Sequence, residues 1–321
     1  MKLKYLFLSA LLVYVFCLSS CNIEKSTEET PMQIVADETI STGESEKNVH
    51  TGLLFSNLCD SETQDEVKHI LTAGGINPTY VEEVFSWVNQ YNEGIGSLDT
   101  FELTPSFTYT EKNYVWYGSD DDYPDVSRNW WKVNRYDYTD VLCRSTAFYL
   151  MRDYVSTENI IPKSEWHIIE DENDWSHSWL VTDMDGFETN PCLKLTDEEI
   201  EQYFTIFNPI TLPSGTSEQD MYTVIKEEWD RRGIAFQKSS VSLVTIWMQD
   251  CELTAASHAA VLVEYDKGLL LFEKTNPEYP YQATKFDTIE EVKSYMVAQL
   301  NSTFENGAGT VIVMQNNFLI E

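Results

Sequence analysis

Positive charge is what this chain has least of: 21 Lys and Arg stand against 53 Asp and Glu, for a formal net charge of −32. A surface of that sign repels phosphate backbones, so nucleic acid is not an expected partner. Cysteine is also scarce. Cys17 and Cys21 lie in the leader, which leaves Cys59, Cys143, Cys192 and Cys251 with no CxxC spacing. That excludes a disulfide-dense scaffold and offers no zinc pattern, so no metal or other cofactor is expected; one or two disulfides remain compatible with four cysteines. Beyond residue 17 no apolar run is long enough to span a bilayer.

What is present begins with an address. Lys2 and Lys4 precede an apolar run from Leu6 to Cys17, and Leu18-Ser19-Ser20-Cys21 resembles a bacterial lipobox. The expectation is a signal peptide over 1–20 and a lipidated Cys21, carrying a palmitate-type chain. Anchoring to the lipid bilayer then puts the protein on the extracellular face of the cell membrane. Residues 21–50 are rich in Glu, Ser and Thr, lack aromatics and show no periodicity, which reads as a disordered acidic tether. From 51 to 321 the composition suits a single domain.

Within that domain "DSETQDEVKHILTAGG" carries the capping Asp60, apolar residues at helical spacing and a Gly-Gly stop. A second helix follows Asn77-Pro78, with Val81, Val84, Phe85 and Val88 on one face. "FTYTEKNYVWYG" alternates as a strand does. The acids Asp120, Asp121, Asp122 and Asp125 lack the glycine and distal glutamate of an EF-hand loop, so a solvated loop is expected there rather than calcium. "DVLCRSTAFYLM" reads as a helix, and "EWHIIE" and "SWLVTDM" as strands. Later come "SVSLVTIWM", "SHAAVLVEY", "GLLLFEK" and "GTVIVMQ", four further strands. Helices first and a mainly antiparallel sheet later predict an α+β domain.

Cys143 sits at the first turn of its predicted helix, where the backbone dipole lowers a thiol's pKa. A cysteine nucleophile also needs a base and a group to orient that base. Two histidines qualify. His258 opens "HAAVLVEY", beside the strand holding Glu273 and preceding Asn276. His177 opens "HSWLV", with Asp185 or Asn190 downstream, in the compact order of transglutaminase-like proteases. The strand order around His258 resembles a papain-like core of the NlpC type, which favours it. If Asp266-Lys267-Gly268 is a three-residue loop, His258 faces Asn276; a two-residue loop brings Glu273 to the histidine's face. Asp140 is expected to cap the helix, and Arg144 to assist the thiolate or hold an acid such as Asp140.

"FSNLCDSETQDEVKHILTAGGI", "DVLCRSTAFYL", "WDRRGIAFQKSSVSLVTI", "SHAAVLVEY" and "LLLFEKTNPEYPYQATKF" together resemble a bacterial lipoprotein family catalogued as domain of unknown function 4300. The family pattern has Asn-Cys-Arg, where this chain has Leu142-Cys143-Arg144, and Gly-His, where it has Ser257-His258. Its Phe-x-Glu-Lys and Pro-Tyr-Gln match Glu273, Lys274, Pro280, Tyr281 and Gln282. The resemblance implies His258 as base, Glu273 ahead of Asn276 as its orienting group, and Arg144 and Gln282 near a substrate. The expected function is a cysteine peptidase or amidase acting on peptide or cell-wall amides. The alternative is a non-catalytic lipoprotein that binds a partner through an aromatic cleft of Trp116, Trp130, Trp131 and Tyr136.

Overall fold

Helix α1 (Ser61–Ala73) starts where the Asp60 carboxylate accepts the Thr63 amide at 2.8 Å, giving a first-turn donor the partner it lacks. Helix α2 (Pro78–Ile95) opens on proline, whose missing N–H would have had no intrahelical acceptor. The computed structural model describes residues 52–95, 103–115, 140–168, 179–276, 279–302 and 309–321. All belong to the unit Gly52–Glu321.

Five further helices follow: α3 (Cys143–Met151), α4 (Val181–Thr189), α5 (Asp197–Phe207), α6 (Glu218–Arg232) and α7 (Ile289–Asn301). The strands are β1 (Leu53–Ser56), β2 (Thr108–Thr110), β3 (Val155–Ser156), β4 (Ile210–Thr211), β5 (Ala235–Phe236) and β6 (Val241–Asp250). They continue with β7 (Leu253–Tyr265), β8 (Gly268–Lys274), β9 (Tyr281–Phe286), β10 (Val311–Gln315) and β11 (Phe318–Leu319). Among the described residues a large sheet runs β11-β10-β6-β7-β8-β9-β1-β2, with β4 beside β7, and β3 and β5 form a separate ladder. The paired strands are antiparallel throughout. The domain is thus α+β, with helices leading and an antiparallel sheet behind them. Its centre is apolar on both sides: β6 buries Val241 through Met248, and β7 buries Ala259 through Val263. Phe85 of α2 stacks on Phe272 of β8.

Among the described residues neither of two expected strands forms. "SWLVTDM" enters a helix instead, because Leu180, Asp183 and Gly186 are buried at helical spacing with Met184 and Phe187 packed beside them. A buried carboxylate at Asp183 hid that stripe, since an acid counts as exposed in any hydropathy reading. Of "EWHIIE", Glu165 ends a turn of 3-10 helix, and Trp166 is buried against Phe204 with its indole N–H on the Ile161 carbonyl.

Candidate functional site

The site lies where the central strands part. Strand β7 pairs with β4 only at Leu253 and Thr254, and with β8 only from Val261 to Tyr265. Among the described residues, Ala255 to Ala260 consequently have no strand partner on that edge. On the other edge the register with β6 shifts between Ile246 and Trp247, which makes Ser257 a bulge; its hydroxyl donates to the Ile246 carbonyl at 3.2 Å. A bulge bends its strand and re-aims the next side chain, and that side chain is His258. Ser257 is not among the residues with positive φ, so the backbone here does not require the glycine of the family pattern.

Loop length decides the third group. Tyr265 pairs with Gly268 across the two-residue loop Asp266-Lys267. Continuing that register puts Glu273 opposite Ala260, on the face of His258. His258 Nε2 and Glu273 Oε2 lie 2.6 Å apart, and the Tyr295 hydroxyl of α7 donates to Glu273 Oε1. Asn276 is not the partner of His258; it lies beyond the end of β8, where its carbonyl accepts the Tyr279 amide. Gln282 is a residue expected near a substrate. It is 1% exposed and its amide donates to the Tyr295 hydroxyl at 2.7 Å, to Thr284 Oγ1 at 2.8 Å and, at 3.4 Å, to Glu273 Oε1.

Helix α3 begins beside the same edge. Leu142, not Asp140, is its N-cap, and the Leu142 amide donates to Ser145 Oγ at 2.9 Å. Asp140 instead accepts the Val141 amide at 2.7 Å and pairs with Lys274 Nζ at 2.8 Å. Arg144 does not hold Asp140 either. Its guanidinium takes both oxygens of Asp183 at 3.2 and 2.5 Å, and donates to the Ala256 carbonyl at 2.8 Å. Tyr203 of α5 also donates to Asp183. Asp183 and Tyr295 were not foreseen from the sequence. The signal for Asp183 was an acid at a helical core position; Tyr295 sat in an ordinary amphipathic pattern and gave none.

Cys143, at the first residue of α3, is 6% exposed and lies within electrostatic reach of His258. With Nε2 on Glu273, the Nδ1 atom is buried and has no hydrogen-bond partner among the described residues, which leaves it the ring nitrogen free to serve the thiol. Burial alone raises a thiol: with Asp60 nearby it pushes Cys59 up to about 12, and it raises Cys192 as well. Burial acts on Cys143 too, yet the hydrogen bond to His258, the His258 charge and the Arg144 charge outweigh it and hold this thiol below its ordinary value. Burial likewise opposes charge on His258, but hydrogen bonding to Cys143 and Glu273, and their charges, push it up to about 10. The arrangement favours a thiolate–imidazolium pair.

Residues 54–320 match the family described as Domain of unknown function (DUF4300). The chain belongs to that family. No curated protein and no solved structure matches it. The DUF4300 match therefore spans helices α1 and α2 and all of the sheet described above except Leu53 of β1. No disulfide joins Cys59, Cys143, Cys192 and Cys251 to one another. Among the described residues no cluster of His, Cys, Asp and Glu could hold a metal ion, and no helix is long and apolar enough to cross a membrane. His177, the Trp116, Trp130, Trp131 and Tyr136 set, the acids Asp120 to Asp125 and the lipobox Cys21 lie outside the described residues. Of the groups downstream of His177, Asp185 is on α4 and Asn190 accepts the Cys192 amide at 2.9 Å.

Proposed function

We propose that this DUF4300 domain is a cysteine hydrolase of papain-like, NlpC-type arrangement that cleaves amide bonds in peptides or the cell wall. The observation that carries the reading is the buried His258, held at 2.6 Å by the Glu273 carboxylate and close to the buried Cys143 thiol at the start of α3. In this reading the Cys143 thiolate attacks the amide carbonyl and the C–N bond breaks as the His258 imidazolium protonates the leaving amine. Neutral His258 then takes a proton from water, whose oxygen attacks the thioester; the acid product leaves and the thiolate returns. Glu273 holds the ring in one orientation and stabilises its charged form. The chain would act on the extracellular face of the membrane, anchored to the lipid bilayer through a lipidated Cys21.

The test is alkylation with iodoacetamide from pH 5 to 10, with the modified cysteine located by mass spectrometry. Native Cys143 should label with an inflection well below that of an ordinary thiol. His258→Ala should move the inflection upward and cut the rate at pH 7 about tenfold or more, while His177→Ala leaves both unchanged. Equal labelling of the native chain and His258→Ala, with an ordinary inflection in each, would refute the hydrolase.

A further inference from the structure

Three groups of the proposed site come from three separate segments: Cys143 from α3, His258 from β7 and Glu273 from β8. Beyond Val261 the two strands no longer pair with each other, so backbone hydrogen bonds do not set the spacing of His258 and Glu273 from the helix. Two buried cations cross those gaps. Arg144 follows Cys143 directly and grips the carbonyl of Ala256, the residue before the bulge that aims His258. That carbonyl belongs to the stretch of β7 without a β4 or β8 partner, and the guanidinium supplies what a neighbouring strand would have given. Its other donors are locked on Asp183 in a two-pronged pair. Lys274 follows Glu273 directly and reaches Asp140, three residues before Cys143. Its side chain is 0% exposed and its Nζ lies 4.8 and 4.5 Å from the ring centroids of Tyr91 and Tyr281, so its charge is held between aromatic faces and one carboxylate.

We infer that Arg144 and Lys274 are positioning residues, a pair of braces that tie the start of α3 to β7 and to β8 and so fix the separation of Cys143, His258 and Glu273. This rests on the reading of Cys143 as nucleophile. Neither residue then meets the substrate: one is fully engaged at Asp183 and Ala256, the other buried at Asp140. The brace explains two otherwise costly features. A buried ion pair seldom adds stability over an apolar pair of like shape, but it does impose a specific geometry. Here both pairs sit one residue from a group whose placement the chemistry needs.

The test separates geometry from charge. Arg144→Lys keeps a cation but cannot bond Asp183 twice and Ala256 together. Asp140→Asn removes a negative charge near the thiol, which by electrostatics alone would lower the Cys143 inflection; loosening the brace raises it. Iodoacetamide profiles of Cys143 are measured for native, Arg144→Lys, Lys274→Met and Asp140→Asn chains, with circular dichroism to confirm folding. The inference expects inflections displaced upward and rates at pH 7 reduced about tenfold in Arg144→Lys and in Lys274→Met. Asp140→Asn, at the less buried end of its pair, serves if Lys274→Met does not fold. A depressed inflection that survives in the folded variants overturns the braces alone, and an ordinary inflection in the native chain overturns the nucleophile itself.

Discussion

Glu273 divides its two oxygens between different tasks, with His258 on one and Tyr295 on the other. Substituting Glu273→Gln keeps the shape and removes the charge. His258, held near 10 in the native chain, then loses one of the groups that raise it and moves down toward 6.5. Cys143, depressed through His258, moves up toward 9.0 in response. The thiolate–imidazolium pair exists only above the thiol's pKa and below that of the ring, so its window closes from both sides. Iodoacetamide labelling at pH 7 should fall about tenfold, and its inflection should move upward with the thiol's pKa, because the thiolate is the species alkylated. These roles were partly legible in the residues themselves. Cys143 at a helix start is a local fact, but His258, expected to open its strand, lies inside β7 (Leu253–Tyr265), and the helical burial of Asp183 and the reach of Tyr295 to Glu273 are not local either.

Helices α1 and α2 were legible because their stops and starts are chemical. Asp60 caps by a hydrogen bond that alanine cannot make, so Asp60→Ala should lower stability by about 1 kcal/mol in a urea titration. Helix α6 ends at Gly233, which adopts φ +65° with Glu158 close by; an added Cβ would sit 2.6 Å from Glu158 Cβ. Gly233→Ala should therefore cost more than the intrinsic left-handed penalty of about 1–2 kcal/mol, measured the same way. Helix α4 escaped the same reading. Its stripe contains a carboxylate satisfied by Arg144 and Tyr203, partners on α3 and α5 that no local window contains. The β7–β8 hairpin was recognised, but its register turned on a single loop residue, and Gly268 at φ +131° fits either loop length by its sequence alone.

At the scale of the molecule, a net charge of −32 works against compaction, since like charges crowd together on folding. Raising sodium chloride from 20 to 200 mM screens that repulsion, because the Debye length falls from about 20 Å to about 7 Å. The urea midpoint of the native chain should rise with salt; a fall would mean that ion pairs such as Arg231 with Glu228 outweigh the general repulsion. The α+β class followed from element order, and the structure adds that the sheet opens along one edge of β7.

The sequence by itself determined the elements with strong local signals: capped helices, alternating strands, the family, and the cysteine and histidine worth comparing. These depend on interactions within a few residues, which a window of sequence contains. The tertiary structure decided which acid meets the histidine, what holds Arg144, and how Lys274 is neutralised. Glu273 and His258 lie fifteen residues apart, Arg144 and Asp183 thirty-nine, and Lys274 and Asp140 one hundred and thirty-four. Pairings over such distances are set by strand register and by where a helix docks, and burial then makes each one obligatory, because a charge left alone inside the domain would cost more than the fold can spare.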